Sequence, residues 1–159
     1  MNCAEPAGVV LREVLESDLP VFFEHQRDPD AVRMAAFPPR DRDAFWAHWS
    51  KVVQDKTLTT RTVLYDGRVA GHICCFERNG KWQVGDWIGK EFWGRGAATS
   101  ALAALLCLVK RRPLYAYVAE QNVASIRVLE KCGFIVAGHD RSAAPTGGEA
   151  VDEVVMKLS

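Results

Sequence analysis

One stretch of this chain constrains its fold more than any other. From Ala97 to Val109 the sequence reads AATSALAALLCLV, a helix that is apolar nearly all round. Such a helix has no face suited to water, so it must be buried, and its natural partner is a sheet. It falls well short of the roughly 20 apolar residues that cross a bilayer. The start of the chain, MNCAEPAGVVLRE, has neither a basic segment nor a hydrophobic signal core. No membrane partner is therefore expected. With 159 residues, 48% apolar and 25% charged, a single compact domain over 1–159 is expected. Five Trp and seven Phe rule out an intrinsically disordered chain. Twenty basic side chains balance 20 acidic ones, which gives no support for nucleic-acid binding. Five cysteines without a Cys-x-x-Cys pair, Cys3, Cys74, Cys75, Cys107 and Cys132, suit a reducing cytoplasm and imply no zinc site.

Charge is uneven along the chain. Residues 1–50 carry five Arg against nine Asp and Glu, whereas 89–112 carry Lys90, Arg95, Lys110, Arg111 and Arg112 against Glu91 alone. The basic segment suits a polyanion and the acidic one weakly favours a cation; from charge counts alone, solvated faces are the simpler reading of both.

Local patterns predict the elements. Val9–Val14 reads as a strand, and Ser17-Asp18 supplies N-cap chemistry for a helix over Leu19–Arg27. Asp28-Pro29-Asp30 breaks that helix, and Phe37-Pro38-Pro39 is a loop. Asp41 or Asp43 caps a second helix carrying Phe45, Trp46, Trp49, Val52 and Val53. Thr60–Tyr65, Arg68–Glu77 and Lys81–Gly89 form a three-stranded meander turning at Asp66-Gly67 and Asn79-Gly80. The apolar helix follows. Leu114–Ala119 is a strand, Asn122 caps a helix over Val123–Lys131, Phe134–Ala137 is a strand, Ser142–Gly148 a loop, and Val151–Leu158 the last strand. The result is an α/β sandwich with a mixed, mostly antiparallel sheet of about seven strands, and four helices.

The richest chemistry sits where the third meander strand feeds the apolar helix, in Trp87-Ile88-Gly89-Lys90-Glu91-Phe92-Trp93-Gly94-Arg95-Gly96-Ala97-Ala98. Two glycines let the backbone bend tightly, and the first N–H groups of the helix have no internal acceptor, which makes an anion site; Arg95 adds charge. A bare connection with no ligand is the simpler reading. No Lys-Ser/Thr follows the glycines as a P-loop requires, and the third glycine of a dinucleotide fingerprint is missing. Further on, Asn122 and Ser125 share one face of a helix's first turn. By themselves they are an N-cap and a polar first-turn residue.

Together the two blocks resemble the acyl-CoA-binding motifs of the GCN5-related N-acetyltransferase (GNAT) superfamily. The pattern Q/R-x-x-G-x-G/A aligns with Trp93-Gly94-Arg95-Gly96-Ala97-Ala98, with Trp in place of Gln or Arg. The pattern N-x-x-A/S followed by E-K-x-G-F aligns with Asn122 to Phe134. The element order matches over nearly the whole chain, and the turn is most similar to the ribosomal-protein N-terminal acetyltransferase (RimJ/RimL-type) branch. The resemblance implies a three-layer fold, splayed between the fourth and fifth strands, with acetyl-CoA as cosubstrate and no metal. The diphosphate would lie on Gly94, Arg95, Gly96, Ala97 and Ala98 with Thr99 nearby, and pantetheine along Trp87 and Ile88. Asn122 would orient coenzyme A or a water.

The same resemblance implies direct attack of an amine on the acetyl carbon in a ternary complex. Leu129 aligns with a Tyr that protonates the departing thiolate in many relatives; Leu cannot donate, so Ser125 is the expected donor. Asp86 is the first candidate for the base, followed by Glu77 and His72. At pH 7 an α-amine of pKa about 8 is roughly 10% neutral and a Lys amine about 0.04%, a gap of roughly 3 kcal/mol. A site without a strong base therefore suits a protein N-terminal α-amine or a small-molecule amine. The acceptor should lie near Phe37, Trp46, Trp49 and Glu77. A non-catalytic acyl-CoA-binding or sensing module, and a nucleotide-binding domain using the same turn, are the alternatives. The assembly is expected to be a monomer or homodimer in the cytoplasm.

Overall fold

The computed structural model describes residues 8–159; the first seven residues of the N-terminal stretch read above, with Cys3, lie outside the described residues. The strands are β1 (Val9–Glu13), β2 (Thr59–Tyr65), β3 (Arg68–Arg78), β4 (Lys81–Ile88), β5 (Leu114–Ala119), β6 (Ile135–Ala144) and β7 (Gly147–Leu158). They form one sheet in the order β1-β2-β3-β4-β5-β7-β6. Every neighbouring pair is antiparallel except β4–β5. The helices are α1 (Leu19–Arg27), α2 (Pro29–Ala35), α3 (Arg42–Gln54), α4 (Ala97–Leu108) and α5 (Val123–Lys131). This is the expected α/β sandwich with seven strands, and with five helices rather than four.

The additional helix is α2. Asp28 accepts from the N–H groups of Asp30 and Ala31, and Pro29 occupies the first turn, where its missing N–H costs nothing. The same proline that ends α1 starts α2, so it is more than a breaker. Asp18 also departs from expectation. It stands before α1 but makes no side-chain cap. Instead its buried carboxylate accepts from Arg12 at 2.7 and 2.9 Å, Thr62 Oγ1 at 2.6 Å and the Leu15 N–H at 2.9 Å. Burial pushes its pKa up, yet the hydrogen bonds outweigh that and hold it below the usual carboxylate range. Asp41 caps α3 through the Ala44 N–H.

The meander turns as expected: Asp66 and Gly67, then Asn79 and Gly80, all have positive φ, the geometry of tight hairpin turns. The predicted loop over 142–148 is instead the closed end of a β6–β7 hairpin whose tip is Pro145 and Thr146. Pairing carries on there through small residues, with a register shift between Ser142, which pairs with Val151, and Ala144, which pairs with Gly147. Thr146 Oγ1 donates to the Pro38 carbonyl at 2.6 Å, which braces the loop before α3.

Two cores flank the sheet. Leu105 and Leu106 of α4 pack on Val63, Ile73, Leu114 and Met156 of the sheet in one core, all fully buried or nearly so. On the other face Leu19, Phe22 and Phe23 of α1 meet Phe45 and Trp49 of α3. Burying each such side chain stabilises the fold by about 1.5–3 kcal/mol. The all-apolar α4 is thus covered by sheet and α5, as its composition demanded.

Candidate active site

The parallel pair β4–β5 is joined only at Gln83–Tyr115. Beyond that point the strands diverge. The backbone of β4 is oriented there by a close contact with β3. A Cβ at Gly71 would come within 2.0 Å of the Trp87 carbonyl, so only glycine fits. The Trp87 carbonyl therefore faces β3. Strand alternation then turns the main-chain groups of Asp86 and Ile88 toward the side that β5 has left. The Ile88 carbonyl is taken by Trp93 Nε1 at 2.9 Å. The Trp that replaces the expected Gln or Arg thus ties the turn to the strand. Trp87 itself sends its indole N–H to the His25 carbonyl at 3.1 Å, and its ring meets Phe37 at 6.0 Å.

After β4 the chain bends through Gly94 and Gly96, with φ of 75° and 76°. Nothing lies within 4 Å of a Cβ built at either, so the bend is open on its outer side. Gly96 begins α4 without a side-chain cap, and the first helical bond is Ser100 N–H to the Gly96 carbonyl at 3.0 Å. The N–H groups of Ala97, Ala98 and Thr99 are therefore left over within the helix, at the positive end of its dipole. Arg95 is exposed, 6.0 Å from the Tyr65 ring. The Thr99 carbonyl accepts from Cys132 Sγ at 3.7 Å, which fastens the end of α5 to the start of α4.

Where β4 and β5 part, a cavity of about 700 Å³ runs through the sheet. Asp86, Ser125 and Asn122 all line it. Asn122 Oδ1 accepts from the Ser125 N–H at 3.3 Å, so the capping role is real and it fixes the first turn of α5. The Ser125 hydroxyl has no hydrogen-bond partner among the described residues, and Leu129 is buried in the wall. Asp86 opens to the cavity yet lies deep within it, and burial raises its carboxyl to about 6. His72 lies between Phe22 and Trp49, with ring centroids 4.9 and 4.8 Å away. Burial, helped by the charges of His25, His48 and Arg40, lowers it to about 3. A base that weak is poorly matched to an ammonium, so of these two Asp86 is better suited to taking a proton. Burial pushes the Cys74 thiol up to about 12, which keeps it protonated and unreactive.

Phe37, Trp49 and Glu77 also line the cavity. Trp46 is held elsewhere, against Phe23 and Phe45 at 5.6 and 5.0 Å with Arg42 over its ring. Sequence reasoning passed over Arg40, His48 and Thr60, which the fold brings into the same wall. They come from three separate segments with no shared spacing; the only local hint was a charged residue directly after two prolines.

The family description "Acetyltransferase (GNAT) domain" matches residues 9–135. The chain is 28% identical over 144 residues to the protein named "Putative ribosomal N-acetyltransferase YdaF" of Bacillus subtilis (strain 168), covering 86% of this chain and 74% of that one. Its fold matches spermidine N-acetyltransferase from Vibrio cholerae, solved with CoA and spermine, at a TM-score of 0.78 and 20% identity, with 96% of both chains covered. It also matches RimL, a ribosomal L7/L12 α-N-protein acetyltransferase, at 0.79 and 18%, over 98% of this chain and 92% of that one. With its parted strands, its uncapped α4 and this match over most of its length, the chain belongs to the GNAT acetyltransferase family.

Proposed function

We propose that the protein is a single-domain, acetyl-CoA-dependent N-acetyltransferase acting on a primary amine, either a protein N-terminal α-amine or a small-molecule amine. The observation that carries this is the β4–β5 gap opening into a cavity that holds Asp86 and Ser125. Acetyl-CoA supplies the activated acetyl thioester. The N–H groups of Ala97, Ala98 and Thr99 receive its diphosphate, with Gly94 and Gly96 giving the bend and Arg95 adding charge. Pantetheine takes the strand position that β5 leaves, beside Asp86 and Ile88. An N–H there polarises the thioester carbonyl. Trp87 contributes through its neighbours, since its own carbonyl faces β3.

Asp86 accepts a proton from the incoming ammonium. The amine nitrogen then bonds to the acetyl carbon, the carbon–sulfur bond breaks, the departing thiolate takes a proton from the Ser125 hydroxyl, and the second proton shed by the nitrogen as the amide forms restores that hydroxyl. Asn122 holds the turn that aims Ser125, beside coenzyme A or a water. Cys74, Cys75 and Cys132 form no disulfide, which fits a cytoplasmic location.

The test is steady-state kinetics with acetyl-CoA and a broad amine panel, with products identified by mass spectrometry. Ser125→Ala should lower kcat by about 100-fold, the usual scale of a lost general acid. Unchanged kcat in both Ser125→Ala and Asn122→Ala rejects these roles. Tight acetyl-CoA binding with no coenzyme A release on any amine favours a sensing module instead.

A further inference from the structure

The half of the cavity away from α4 contains an arginine without an acid. Arg40 is half-buried, and no carboxylate among the described residues pairs with it. Its backbone is clamped by Gln26, which accepts the Arg40 N–H and donates to the Arg40 carbonyl, both at 2.8 Å. On the other side Thr146 holds the Pro38 carbonyl. The side chain thus projects from a loop fixed at both ends. Its guanidinium lies over the Phe37 ring, 6.0 Å from the centroid. Burial lowers the pKa of Arg40, and its charge helps lower His48 and His72. Two more polar atoms in the same wall are buried without partners, Thr60 Oγ1 and His72 Nδ1.

A half-buried cation with no carboxylate partner is costly unless something anionic joins it. The acids of the N-terminal half do not supply that anion. Asp18 serves Arg12, Asp28 and Asp41 cap helices, and Asp30 pairs with Lys90 and Arg33. None of them lines the cavity. The acids that do line it, Glu77, Asp86, Asp140 and Glu153, make no ion pair with Arg40. The overall acidity of residues 1–50 therefore says little about the acceptor; the local cation says more.

We propose that the acceptor is an amine that also carries a carboxylate, and that Arg40, with Thr60 and His72 of the same cavity wall, binds the carboxylate while the amine faces Asp86. This rests on the N-acetyltransferase reading. The carboxylate belongs either to a small amino acid or to an acidic side chain near a peptide N-terminus.

The experiment measures kcat/KM with acetyl-CoA for matched pairs, corrected to the neutral amine fraction. One arm uses ω-amino acids against their carboxamides. The other uses short peptides with Glu against Gln at the second and third positions. The expected result is a preference of at least ten-fold for the anionic member in one arm, and that arm identifies the source. Arg40→Gln should bring the ratio to within about two-fold of unity, and Arg40→Lys should keep most of it, with thermal melting confirming that both variants fold. Equal or better turnover of the neutral members overturns the inference and leaves the transferase reading standing. So does a preference that survives Arg40→Gln. If no anionic member is acetylated or binds the coenzyme A-loaded protein, the inference also falls. Calorimetry showing no acetyl-CoA binding at all overturns both.

Discussion

Asp86 and His72 stand on adjacent strands and face opposite sides of the sheet, since His72 pairs with Trp87 and Ile73 with Asp86. Burial moves each toward its neutral form. Asp86, raised to about 6, works as a base only once ionised, so kcat/KM should climb as pH rises through about 6. Asp86→Asn should remove that limb and lower kcat by about 100-fold. The stability sign is opposite. A carboxyl whose pKa is higher in the folded chain adds stability below its ordinary value and loses it as pH rises past 6. Asp86→Asn should therefore raise the Tm at pH 7.5 while activity falls. His72 behaves in the reverse sense. Lowered to about 3, it contributes stability above its ordinary value that is lost as pH falls from about 6.5 toward 3. Urea denaturation at pH 7 and pH 4.5 should show a smaller difference for His72→Gln than for the parent chain.

At the scale of elements, two devices shape the site. The first is the cap of α5. Replacing Asn122 by Ala should cost about 0.5–2 kcal/mol, readable as a lower Tm. Asn122→Asp keeps an accepting oxygen at the same place; activity lost there at unchanged Tm would show that Asn122 does more than cap. The second device is the glycine contact between β3 and β4. Gly71→Ala forces its methyl against the Trp87 carbonyl and should cost about 1–3 kcal/mol, with a raised KM for acetyl-CoA because the gap-facing edge of β4 moves. Elements set by local chemistry were legible in the sequence: the Asp66-Gly67 and Asn79-Gly80 turns, the apolar α4 and the Asn122 cap all lie where the pattern placed them. The β6–β7 hairpin was not. Its Ser-, Ala- and Gly-rich tip has weak strand propensity and pairs as an extension of the β6–β7 ladder, across a register shift between Ser142 and Ala144.

Across the whole molecule, one cavity passes from the α4 side of the sheet to the α1–α3 side, because β4 and β5 meet at one point only. A ligand filling that gap binds the folded chain and not the unfolded one. Acetyl-CoA at 100 times its Kd should therefore stabilise the protein by about 2.7 kcal/mol, seen as a rise in Tm. Gly96→Ala should weaken that shift, since a left-handed residue with a Cβ costs roughly 1–2 kcal/mol at the start of α4. The sequence by itself determined the strand order along the chain and every helix but α2, the uncapped turn at Gly94–Gly96 and the pairing of Asn122 with Ser125, since each depends on residues a few positions apart. Only the tertiary structure decided that Asp86 sits deep enough to hold a proton near pH 6, that Trp46 packs away from the cavity, and that Arg40 reaches it without a partner. Those outcomes depend on what distant segments leave uncovered or fail to neutralise, and no local spacing records that.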